Sequence, residues 1–140
     1  MGATLLVLFL SCAFALGAES AGCPKRVVRF RIGQSEIAEI ELRQGHQPWR
    51  SNSETVAEAA VLQVEPDVAP NTADSIPFKS TVVSPSRQIF RFELIDLHHI
   101  DEITVQRLRW RNPRTGKTEL TGAWWATKAV ISDCETAGGK

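Results

Sequence analysis

The residues best suited to chemistry crowd into LIDLHHIDEI (94–103), where two histidines stand among three carboxylates. Imidazole and carboxylate together suggest a metal site or a proton-transfer pair. A closed zinc site wants four ligands. Two histidines serving one metal usually come as His-x-His on a strand or His-x-x-x-His on a helix, so that both rings face one way. Adjacent His98 and His99 on a strand point to opposite faces, and only a tight turn here would gather His98, Asp101 and one further group. His46, the remaining histidine, sits in a distant loop. The spacing thus supplies His98, His99 and Asp101 as candidate ligands, fewer than a closed site needs, and implies no cofactor. The plainer expectation is a polar connection between two strands.

Covalent catalysis finds no better footing. Serines abound (Ser51, Ser53, Ser75, Ser80, Ser84, Ser86, Ser132), yet none lies in a glycine elbow, and no spacing implies nucleophile, base and orienting group. Carboxylate pairs such as Asp101 with Glu102, or Glu39 with Glu41, read as solvated or salt-paired. An enzyme would have to be a small metal-dependent or hydrolytic one using His98, His99 and Asp101.

Arginine and tryptophan offer contacts instead. Arg107, Arg109 and Arg111 alternate, so on a strand they share a face, a basic row suited to a carboxylate-bearing or sulfated partner. Cross-strand pairing with Glu93, Asp96 and Glu119 is the commoner use of such a row. Trp49 and Arg50 sit in a loop, QPWRS, and Trp124 and Trp125 are consecutive. A strand sends one of that last pair inward and the other outward or under a loop such as QPWRS, and an exposed indole suits a sugar ring or a protein partner.

These side chains need a scaffold, and composition says where it folds. The uncharged apolar run TLLVLFLSCAFAL (4–16), closing on small residues, reads as an export signal over 1–18 and is too short to span a bilayer. The expected location is secreted or periplasmic, with no membrane span left after cleavage. Sixteen basic and sixteen acidic residues give zero net charge, which argues against a nucleic-acid partner. Residues 19–134 make one domain, ahead of a loose tail, 135–140. Cys23 and Cys134 stand at its two edges, a natural disulfide in an oxidising space, contributing about 4 to 5 kcal/mol on the chain-entropy model.

Periodicity fills in the elements. RVVRFRI (26–32) and EIELR (39–43) alternate apolar with charged residues of opposite sign, predicting an N-terminal hairpin with Arg31 across from Glu39 and Arg29 across from Glu41. SETVAEAAVLQVEP carries helical spacing, a capping box from Ser51 to Glu54 and a stop at Pro66, predicting a helix near 53–64 with a strand through AVLQVE as the rival. KSTVV (79–83) is a short strand. Segments 87–97, 104–111 and 117–131 predict a three-strand antiparallel meander, kinked or bulged at Gly122. The class expected is α+β, mainly antiparallel β, with an all-β sandwich as the alternative.

NPRTG (112–116) is similar to the Asn-Pro-x-Thr-Gly loop of chagasin-like inhibitors of cysteine proteases, which are small β-sandwiches. The likeness covers five residues and neither of that family's other two loops, and turn chemistry alone accounts for it. The functional expectation is an exported, non-catalytic, binding or inhibitor-like domain. It would contact a protein or glycan through the loops 45–53, 98–102 and 112–116, using Trp49, Arg50, Arg107, Arg109, Arg111, Trp124 and Trp125. A structural subunit of an exported assembly is the further alternative.

Overall fold

The computed structural model describes residues 23–33, 35–70 and 75–133. The predicted signal, Cys134 and the tail lie outside them. Five antiparallel strands form one sheet: β1 (Lys25–Arg29), β2 (Phe78–Ser84), β3 (Arg87–Leu94), β4 (His99–Arg111) and β5 (Thr118–Asp133). Their spatial order is β1-β5-β4-β3-β2. The last four follow one another as hairpins, so the expected meander is present and one strand longer than foreseen. β1 then adds to the outer edge of β5, with Lys25 opposite Ser132 and Arg29 opposite Lys128. Two helices, α1 (Ser35–Arg43) and α2 (Ser53–Val64), intervene between β1 and β2, with a single 3-10 turn, Pro48–Ser51, between them.

The core lies between α2 and one face of the sheet. Val56, Ala57, Ala60, Val61 and Val64 recur at helical spacing and meet Phe90, Phe92, Leu94, Ile103, Val105, Trp124, Ala129 and Ile131. On β3 the alternation is clean, with Phe90, Phe92 and Leu94 buried between exposed Arg91 and Glu93. The predicted helix at 53–64 stands, whereas its cap moves by one residue. Asn52 accepts a hydrogen bond from the Glu54 N–H at 2.8 Å, and Ser51 Oγ instead donates to the Pro48 carbonyl at 2.7 Å.

The N-terminal hairpin is overturned. Residues 39–43 belong to α1, and β1 pairs with β5. Ile40 and Leu42 fit a two-residue period, but Glu39 and Arg43 also fit the four-residue spacing of a helical ion pair, which they form at 3.0 Å. Tertiary contact selects the helix. It turns Ala38 and Glu39 inward, while Ile37 and Ile40 stay exposed. The sandwich alternative also falls, since helices pack on a single sheet.

Gly122 lies in a bulge, as expected: the β4–β5 register slips between Arg107, opposite Trp124, and Arg109, opposite Leu120. The Leu108 N–H in the gap donates to Thr121 Oγ1 at 3.0 Å, so the interrupted ladder is repaired by a side chain. NPRTG closes the β4–β5 hairpin, with Gly116 at φ +68° and its N–H donating to the Asn112 carbonyl at 2.7 Å. Among the described residues, no helix is long and apolar enough to cross a membrane.

Candidate functional site

Strand β4 carries the polar chemistry at both of its ends. At its start, a 3-10 turn, Ile95–Leu97, finishes on His98 in the left-handed conformation (φ +54°), and this reverses the chain. His99 then opens β4, and Asp101, two residues on, shares its face. α2 meanwhile stops before Pro66, and its C-cap is Glu65, whose N–H donates to the Val61 carbonyl at 2.8 Å. These three side chains converge. His99 Nδ1 lies 2.8 Å from Glu65 Oε1, and one donor atom from each of Glu65, His99 and Asp101 lies within 4.8 Å of the others.

Asp101 is the unusual member. It is 0% exposed, between Phe92 on β3 and Ile131 on β5, and neither carboxylate oxygen has a hydrogen-bond partner among the described residues. Burial pushes its pKa up to about 7; the Glu65 charge adds to the rise, and His99 and Arg26 oppose it. Arg26, on β1, reaches the end of α2, where Nη2 donates to the Val64 carbonyl at 3.5 Å. The turn therefore gathers His99 and Asp101 with Glu65, whereas His98 has no place in the cluster. The missed signal in the sequence was His99-x-Asp101, the strand spacing that aligns two ligands. Glu65 gave none, because a helix end reaches β4 only through the fold.

Toward its far end β4 carries the arginines. Arg107 stacks on Trp124, with its guanidinium 4.8 Å from the ring centre, and Arg43 lies 5.0 Å over Trp110. Arg109 and Arg111 stay exposed. None of Arg107, Arg109 and Arg111 forms an ion pair among the described residues, and Glu119, one of the anticipated partners, pairs with Arg43 at 3.8 Å.

The consecutive tryptophans take separate places. Trp124 (4% exposed) joins the α2 core, and Trp125 (7%) is covered by the Pro48–Ser51 turn, the loop suggested by the sequence. Arg50 joins the two halves of that arrangement. Its guanidinium is 4.6 Å from the Trp49 ring and 4.4 Å from the Trp125 ring. It donates from Nε to Gln47 Oε1 at 2.8 Å, and it forms no ion pair among the described residues. Burial draws the Arg50 pKa down, against the pull of Glu41. A cleft of about 130 Å³ opens beside it, walled by Phe30, Arg31, Trp49, Gln63 and Trp125. Trp49 is 39% exposed.

Comparison of the chain with family models, with curated proteins and with solved structures finds no match.

Proposed function

We propose that the chain is an exported, non-catalytic binding domain whose cleft at Trp49, Arg50 and Trp125 holds an acidic glycan. The observation that carries this reading is Arg50, whose guanidinium lies against two indoles with no ion pair among the described residues, Glu41 acting on it only from beyond contact. A stacked guanidinium keeps its fork of donors oriented, which suits a carboxylate or sulfate. Trp49 beside it is a partly exposed indole, a side chain suited to contact with a sugar ring. Arg31 on the cleft wall adds a second positive charge.

Export is supported by the apolar N-terminal run and by the strand register. The Asp133 N–H donates to the Pro24 carbonyl at 3.0 Å, and Lys25 faces Ser132. Cys23 precedes Pro24 and Cys134 follows Asp133 in the sequence, so a disulfide between the two cysteines would continue from this pair.

Calorimetric titration with hyaluronan oligosaccharides tests the reading. The wild-type chain is expected to bind them, more weakly as salt rises, and Arg50→Met is expected to lose about tenfold to a hundredfold in affinity, the range for a charge-assisted hydrogen bond. Affinity unchanged by that substitution, or preference for a neutral oligosaccharide, overturns it.

A further inference from the structure

We propose that Glu65, His99 and Asp101 form a binding site for a divalent transition metal, zinc being the best fit to one imidazole nitrogen and two carboxylate oxygens. The site is independent of the Trp49–Arg50 cleft. Donors bound to one zinc at about 2.0 to 2.2 Å lie no more than about 4.4 Å apart. The three donor atoms already lie within 4.8 Å of one another, so small side-chain adjustments close the set.

A cluster of this kind on a surface would be unremarkable, since exposed acidic groups commonly have no ligand. This one is set into the fold: Asp101 is fully buried, Glu65 is 4% exposed, and both oxygens of Asp101 lack a hydrogen-bond donor among the described residues. A buried carboxylate without donors is costly, and metal coordination is one of the few arrangements that satisfies it. His99, partly exposed, provides the way in from solvent. Three protein ligands are one short of a closed tetrahedral shell, so a bound zinc would keep a position for water or another small ligand. Arg26 acts on Asp101 and offsets part of its charge, so it should restrain affinity.

The test begins with the purified chain, its thiols alkylated or disulfide-bonded so that sulfur cannot bind metal, stripped with a chelator and dialysed against zinc. One zinc per chain is expected. Glu65→Gln, His99→Gln and Asp101→Asn should each weaken binding by about tenfold or more, as loss of one of three ligands implies. His98→Ala should leave affinity unchanged, and Arg26→Gln should raise it. Cobalt in place of zinc should give visible ligand-field bands that His99→Gln removes. Should Asp101→Asn not fold, the melting temperature of the unaltered chain decides instead, by rising with zinc and falling back with chelator. No retained zinc, no thermal shift, or zinc held equally well by the His99 and Glu65 variants overturns the proposal.

Discussion

Of the three carboxylates buried near β4, Glu39 and Asp101 live in opposite surroundings. Glu39, 2% exposed, accepts from three donors: Arg43 Nε at 3.0 Å, the Gly122 N–H at 2.7 Å and the Ala123 N–H at 3.3 Å. Asp101, 0% exposed, accepts from none among the described residues. Glu39 satisfies backbone groups that the bulge at Gly122 takes out of the ladder, so its burial has a structural explanation. Asp101 solves no such problem, for its neighbours on the strand pair normally. The contrast separates a carboxylate that completes a scaffold from one whose burial stabilises nothing visible, and the second kind marks a site.

The comparison can be broken most directly at Glu39. Glu39→Ala strips an acceptor from two backbone N–H groups, and urea unfolding should show a loss of about 3 kcal/mol. A loss below that of an ordinary surface change would mean that the bulge does not depend on the carboxylate.

Asp101 should behave in the other sense. Its pKa is raised, so the folded chain keeps a proton that the unfolded chain releases. Stability should therefore fall as pH rises from about 4 to about 7 and level off above, by at most about 4 kcal/mol, three pH units at about 1.4 kcal/mol each, with the opposing pull of His99 and Arg26 already contained in that pKa. Asp101→Asn should flatten that slope in metal-free solution, with Glu65 and His99 left to set what remains. An unaltered slope removes Asp101 as its source.

A smaller effect is expected at Gly122→Ala. The added Cβ would sit 3.4 Å from Leu42 Cδ2 and 3.5 Å from Glu39 Oε1, ordinary contact distances, so urea unfolding should show a change within about 0.5 kcal/mol.

How much of this was legible depended on how local the cause was. The alternation of Phe90, Phe92 and Leu94 with Arg91 and Glu93 announced β3, and Pro66 announced the end of α2. The segment around Glu39 misled, because five residues satisfy a strand and a helix alike, and the deciding hydrogen bonds come from a bulge 83 residues away. The class, mainly antiparallel with a small helical part, survived that error, since one short element changed type without disturbing the meander. Of the candidate ligands, His99 and Asp101 could be read from strand spacing, whereas Glu65 is 34 residues from its histidine and became visible only when α2 lay across the sheet. Arg50 was singled out, and one of Trp124 and Trp125 was expected under a loop such as QPWRS, but the contact of the guanidinium with both Trp49 and Trp125 was not, for it depends on how that turn seats on β5.

The seat of β1 beside β5 makes synthesis and assembly run in opposite orders. Lys25 leaves the ribosome long before its neighbour Ser132, which is made only after β2, β3 and β4. Throughout that delay the first strand has no partner, because the edge of β5 that receives it does not yet exist. A cell making this chain must therefore shelter the waiting segment, whose unpaired backbone groups are open to neighbouring copies until β5 arrives.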